Sequence, residues 1–229
     1  MKRLILFDID ETMLHSAGVG RRALEAALTE SCGRHINMDG LSLSGKTDPQ
    51  IIREALIHNG HDHDDLDQLL LKTFEVYLPR LEREVAKSRE MTVHGGVIEL
   101  LEELATASWA NLGLLTGNIE PGARIKLQPF SLNRFFPMGA YGSDSHDRMQ
   151  LPAIAHKRAI DHFEQDFTPA DIVIIGDAVN DVLCAKGYGA RSIAVATGRT
   201  PKSDLEALSP DHLFDTLCET AKLVAAIGS

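Results

Sequence analysis

The chain has 229 residues, 44% of them hydrophobic and 5% aromatic, and its 33 acidic against 23 basic side chains leave a formal net charge of −10. This length admits one large domain or a domain carrying an insertion, and the negative charge argues against nucleic acid or an anionic membrane as the main partner. No apolar run reaches the ~20 residues of a membrane helix. The N-terminal apolar stretch is too short for a signal-peptide core. Cys32, Cys184 and Cys218 share no short spacing, as expected of reduced thiols in a cytoplasmic protein.

The first element is the apolar run Leu4-Ile5-Leu6-Phe7, which ends in Asp8-Ile9-Asp10. A strand sends residues i and i+2 to the same side, so both carboxylates can meet at one strand end. Two like charges at that separation call for a cation or a proton. The pattern suggests a Mg²⁺ site with one carboxylate free to attack and the other to exchange protons.

From Thr12 to about Val93 the strand signal vanishes. Helical spacing appears over residues 21–32, with Leu24, Ala27, Leu28 and Cys32 on one face, and over 66–85, through Leu69, Leu70, Phe74, Tyr77, Leu78 and Leu81. A helix over 49–57 would open with Asp48 as N-cap and Pro49 in its first turn. Between these helices, His58, His61 and His63 lie in an acidic segment that reads as a loop, with metal binding as the alternative.

The α/β pattern resumes at His94. A helix over 97–104 precedes a strand over 112–115 that ends in Thr116-Gly117-Asn118. A helical segment over 124–127 stops at Pro129. A short strand over 138–141 and a helix over 151–163 follow. The strand run 172–175 ends in Gly176-Asp177, a helix spans 181–188, and residues 192–196 form the final strand. Alternating strands and helices indicate a parallel, doubly wound sheet. Three buried-strand patterns thus each deliver a polar group at a carboxyl end, where open α/β sheets bind ligands.

These motifs resemble those of the haloacid dehalogenase-like hydrolases, a superfamily of aspartate-nucleophile phosphatases. Asp8-Ile9-Asp10-Glu11-Thr12 is similar to the first motif, Thr116 to the second, and Gly176-Asp177-Ala178-Val179-Asn180-Asp181 to the fourth, in the family's order over nearly the whole chain. The resemblance implies a Rossmann-like α/β core from residues 1–14 and 92–229, with an α-helical cap inserted as residues 15–91. Linkers near 13–16 and 86–94 would be its hinges.

The resemblance also implies roles. Asp8 would be the nucleophile and Asp10 the general acid, then base. Mg²⁺ would lie among Asp8, the Asp10 carbonyl and Asp177, with Asp181 holding a metal-bound water or, alternatively, only serving the start of its helix. Thr116 would donate to a phosphoryl oxygen, helped by the Gly117 and Asn118 amides, though Asn118 equally suits a turn. For the cation of the third motif the register falls on Arg148. Lys157 has the usual residue type but lies inside a helix pattern, and Lys126 is a third option. Ser44-Gly45-Lys46-Thr47-Asp48 resembles the specificity loop of phosphoglycolate-phosphatase-like members, with Lys46 for an anionic group on the substrate; an ordinary helix entry is the alternative.

The expectation is a cytoplasmic, Mg²⁺-dependent phosphatase, monomer or homodimer, acting on a small phosphorylated metabolite. A sugar phosphomutase using the same residues is the nearest rival. A phosphonate hydrolase with Lys46 as its Schiff-base lysine is a further one. A non-catalytic binding protein of the same fold is the alternative from another class.

Overall fold

The structure is a computed structural model and describes residues 2–61 and 66–229. Its centre is a six-stranded, all-parallel sheet. Strand β1 (Arg3–Phe7) lies between β4 (Ala110–Leu115) and β6 (Ile172–Gly176), with β5 (Gly139–Ala140) outside β4, and β7 (Arg191–Val195) and β8 (His212–Phe214) beyond β6. Every residue of β1 and β6 is buried. Continuous apolar runs of this kind suit strands covered on both faces.

Helices supply those covers. Ile5 and Phe7 point into one core with Leu100, Leu101 and Leu104 of α4 (Val97–Thr106) and Leu223 and Ile227 of α9 (Thr220–Gly228). Leu4 and Leu6 point into the other, with Leu151, Ala155 and Ala159 of α6 (Leu151–Phe163) and Cys184 and Ala185 of α7 (Val179–Tyr188). The period-2 alternation of one apolar strand thus serves both layers. This is the doubly wound α/β architecture expected of the sequence.

The helical insertion holds α1 (Val19–Cys32), α2 (Asp48–His58) and α3 (Leu66–Lys87). The face Leu24, Ala27, Leu28 of α1 packs with Tyr77 and Leu81 of α3. At its neck β2 (Leu14–His15) pairs antiparallel with β3 (Thr92–Val93), so the two connections expected to act as hinges are tied to each other. No helix among the described residues is long and apolar enough to cross a membrane.

Three local expectations are corrected. Thr47, not Asp48, caps α2: its hydroxyl accepts from Gln50 N–H at 3.3 Å, which moves Asp48 into the first turn. Helix α5 (Glu120–Leu127) starts four residues earlier than its apolar spacing indicated, because Pro121 suits a first turn. The strand over Arg191–Val195 is not the last: α8 (Lys202–Ala207) leads to β8, a three-residue edge strand that is only half-buried and carries little apolar signal.

Candidate active site

The site lies where β1, β4 and β6 end side by side. Phe7 is in register with Leu114 and Ile175, so the residues that follow each strand emerge together. Asp8 N–H still bonds Ile175 O at 3.0 Å, extending the ladder by one residue. The chain then turns sharply: Glu11 has φ of 61°, and Met13 and Leu14 N–H both bond Ile9 O. That turn sends Asp10 toward the helical insertion while Asp8 stays against the sheet. Thr12, the last residue of the first motif, donates to Asp177 Oδ1 at 2.8 Å and ties β1 to β6.

Asp8, Asp177 and Asp181 each bring one carboxylate oxygen within 4.8 Å of the others, and all three are buried. Asp181 lies in the first turn of α7, where its Oδ2 accepts from Ala178 N–H at 2.9 Å. Both roles weighed for Asp181 therefore coincide, since it serves its helix and also faces the other carboxylates. Gly176 makes this possible, because a Cβ there would lie 2.2 Å from the Asp181 carboxylate.

One guanidinium answers the three acids. Arg148 is 3% exposed, bonds Asp181 Oδ1 and approaches Asp8 Oδ1 to 3.2 Å. Asp147 accepts from Met149 N–H and starts the short 3₁₀ turn Arg148–Gln150, from which the Arg148 side chain runs back under the sheet end. The approach to Asp8 is an ion pair without good hydrogen-bond alignment, and Asp8 Oδ1 is left buried with no hydrogen-bond partner. Burial, opposed by Arg148 but reinforced by Asp181 and Asp10, pushes Asp8 up to about 6. Burial, Asp181 and Asp8 push Asp177 up to about 8. Three buried carboxylates facing one cation, with an orphaned oxygen among them, fit a hard divalent cation.

Asp10 has a different setting. Both its oxygens lie 2.8 Å from Lys126 Nζ, Asn118 Nδ2 donates to Oδ2 at 2.7 Å, and the Ser16 hydroxyl donates to Oδ1. Burial works against the charge, but Lys126, Asn118 and Ser16 outweigh it and hold Asp10 below the usual carboxylate range. Thr116 Oγ1 accepts from Asn118 N–H at 3.3 Å and Nδ2 at 2.9 Å, which leaves its own O–H as a donor. Asn118 is therefore a connecting residue of the site and not simply a turn former.

The insertion closes over these groups. Asp48 N–H bonds Gly117 O at 2.7 Å, and the Asp48 carboxylate accepts from Ile119 N–H at 2.9 Å. Thr47 Oγ1 donates to His146 O at 2.7 Å, and Asn180 Nδ2 donates to Gly45 O at 2.8 Å. Gly117 is required by this seating, since a Cβ there would lie 2.0 Å from Lys46 O. Burial pushes Asp48 up to about 6, against the pull of Lys126 and the Ile119 amide. What remains beneath is a cavity of about 230 Å³ lined by Asp8, Asp10, Thr116, Lys126, Arg148 and Asp177 on the core side and by Lys46 and Arg21 from the insertion.

The candidates from sequence fall into three groups. Asp8, Asp10, Thr116, Gly117, Asn118, Arg148, Asp177 and Lys46 all line this cavity, and Asp181 stands behind it. Lys46 reaches Glu54 Oε2 at 2.5 Å, so its charge is shared with the insertion itself. Lys157 is corrected: α6 presents it to solvent, exposed and away from the cavity, because Ala155 and Ala159 take the buried face. His58 is exposed at the end of α2, and His63 lies outside the described residues. Among the described residues the one metal-type cluster is the three aspartates. Sequence reasoning passed over Ser16, which gives no signal before the neck of the insertion is in place, and it treated Asp48 only as a cap.

The comparisons agree with this geometry. The profile of the haloacid dehalogenase-like hydrolase family matches residues 5–195. A phosphoglycolate phosphatase of Nitrosospira multiformis is 24% identical over 97% of this chain and 95% of its own length. Another, of Synechococcus elongatus, is 27% identical over 58% of this chain and 59% of its own. The crystal structure of CbbY from Rhodobacter sphaeroides in complex with xylulose-1,5-bisphosphate superposes with a TM-score of 0.75 at 20% identity, covering 96% of each chain. The sheet, the order of its motifs and the match over most of the chain lead to one conclusion: this protein belongs to the haloacid dehalogenase-like hydrolase family, and phosphoglycolate phosphatases are among the proteins it is similar to.

Proposed function

We propose that the protein is a Mg²⁺-dependent phosphatase of a small phosphorylated acid or sugar in the cytoplasm, working through an aspartyl-phosphate on Asp8, with residues 15–91 acting as a cap. The observation that carries this reading is the buried Asp8 oxygen that Arg148 approaches as an ion pair but does not hydrogen-bond, opposite Asp177 and Asp181. Asp8 and Asp177, with the Asp10 carbonyl, would hold Mg²⁺, and Asp181 would support it from behind. When bound, the ion neutralises the carboxylates so that Asp8 can face an anionic phosphoryl group.

Every other contribution comes from the chain. An Asp8 oxygen bonds to phosphorus as the bond to the leaving oxygen breaks; Asp10, ionised in the free site, takes up a proton as the anionic ester binds beside it and passes that proton to the leaving oxygen. Water then attacks phosphorus, gives its proton to Asp10, and the bond to Asp8 breaks to release phosphate. Arg148 and the Thr116 hydroxyl steady the transferred oxygens. Lys46 and Arg21, on the insertion side of the cavity, suit a second anionic group on the substrate. The seated insertion keeps bulk water from the phosphorylated aspartate until the alcohol has left.

The test is a phosphate-release screen over phosphorylated acids, sugars and nucleotides, with Mg²⁺ or chelator, on wild type and Asp8→Asn. Release that needs Mg²⁺ and disappears in Asp8→Asn is expected, strongest for small phosphorylated acids or sugars. Release that persists in Asp8→Asn, or no release from any ester, would overturn the reading.

A further inference from the structure

Lys126 is the one buried cation of the cavity that the mechanism above leaves without a role. It rises from α5 on the core side, is 4% exposed, and spends its three ammonium hydrogens on three acceptors: both oxygens of Asp10 at 2.8 Å and Asn118 Oδ1 at 2.7 Å. With all its donors committed, it has none left for substrate. Arg148, by contrast, faces Asp8 and Asp181, so the two cations divide the site between the attacked and the proton-exchanging carboxylate.

The roof over the ammonium belongs to the insertion. A Cβ on Gly20 of α1 would lie 3.1 Å from Lys126 Nζ and 3.8 Å from the Tyr77 hydroxyl of α3. Ser16, at the neck of the insertion, gives Asp10 its remaining donor. Asp10 is thus gripped from the core by Lys126 and Asn118 and from the insertion by Ser16, with Gly20 leaving just enough room for the ammonium.

We propose that Lys126 is a positioning residue: it fixes the direction of the Asp10 carboxylate for proton transfer to the leaving oxygen, in a seat that α1 completes through Gly20. The inference rests on the reading of Asp10 as the proton-exchanging group. It has a signature that a merely structural lysine lacks. A leaving group that departs readily as an anion needs no proton from Asp10, whereas an alkyl alcohol does, so loss of Lys126 should be felt in proportion to the basicity of the leaving group.

The experiment compares kcat/KM, which reports phosphoryl transfer to Asp8, for alkyl phosphates and for dinitrophenyl phosphate in wild type, Lys126→Met, Lys126→Arg and Gly20→Ala. Lys126→Met should lose about 100-fold on alkyl esters and less than about 5-fold on dinitrophenyl phosphate, the difference being the share that general acid catalysis supplies. Lys126→Arg should regain part of the alkyl activity, and inhibition by inorganic phosphate should stay within about 3-fold throughout, since binding is not removed. Gly20→Ala should show the same split more weakly, and it carries the test if Lys126→Met fails to fold. Equal losses on both substrate classes, weakened phosphate inhibition with kcat unchanged, or no loss at all would each overturn the proposal. Wild type inactive on both classes would overturn the phosphatase reading and this inference with it, whereas active wild type with uniform losses in the variants overturns this inference alone.

Discussion

Two ion clusters share one cavity and differ in whether their charges balance. Around Asp8, three buried carboxylates meet a single guanidinium, and Asp8 and Asp177 are pushed up to about 6 and about 8. Around Asp10, one carboxylate meets one ammonium and two neutral donors, and these hold its pKa below the usual carboxylate range despite its burial. The first cluster carries more negative than positive charge, the imbalance on which the proposed Mg²⁺ site rests. The second is already satisfied, and that is the property of a group held in place for use. Buried charge is costly unless matched, so the same fold holds one cluster with an excess of negative charge and one in which charge is balanced.

The contrast can be broken most severely at Asp8. Asp8→Asn removes the proposed nucleophile without changing shape, so turnover should vanish from the phosphate-release assay while the circular dichroism spectrum and cooperative melt persist. Arg148→Ala strips the unbalanced cluster of its only cation: activity should fall about 10²–10³-fold, as for removal of a transition-state donor, and stability by about 3–5 kcal/mol. Lys157→Ala, at an exposed position, should leave both within error, and the reverse ranking would move the phosphoryl-holding cation to α6.

Next comes pH. Asp177 is raised from 3.8 to about 8 in the folded protein, so protonation favours the fold and its contribution is lost as pH rises across that window. Without divalent cations, the melting temperature should therefore fall between about pH 4 and about pH 8. Magnesium at ~100 times its Kd should return about 2.7 kcal/mol at the upper end, and Asp177→Asn should flatten the profile. A melting temperature indifferent to both pH and Mg²⁺ would remove the argument for an incomplete cluster.

The smallest expected effect sharpens the comparison from outside either cluster. Asp48 is raised from 3.8 to about 6 while accepting from Ile119 N–H. Asn can accept the same bond without a charge, so Asp48→Asn should raise stability by about 1–2 kcal/mol above pH 6. The gain should shrink as pH falls toward 4 and should not respond to Mg²⁺, in contrast to Asp177. Loss of stability at neutral pH would mean that the charge itself helps seat the insertion.

Legibility followed the same division. Asp8, Thr116 and Asp177 stand at the ends of apolar runs, and the parallel register of β1, β4 and β6 makes such positions converge on one edge. Arg148 was reachable by counting along the family's motif order, and its burial at the start of an otherwise exposed 3₁₀ turn favours it over the exposed Lys157. Lys126 was only one of three candidates for that motif, because nothing on α5 says which carboxylate it will face. Asp48 looked like a cap since an acid before Pro49 usually is one; Thr47 took the position and left Asp48 to face Ile119 across the gap between insertion and core.

The sequence by itself determined the doubly wound sheet, the helical nature of the insertion and the carboxylates at the strand ends, because strand and helix periodicities are local and the sheet's topology brings those ends together. The pairing of Lys126 with Asp10, the grip of Ser16, the clearance at Gly20 and the burial of Asp48 were decided only by the tertiary structure. Each depends on how the insertion sits on the core, a relation between segments distant in the chain that no local pattern of residues encodes.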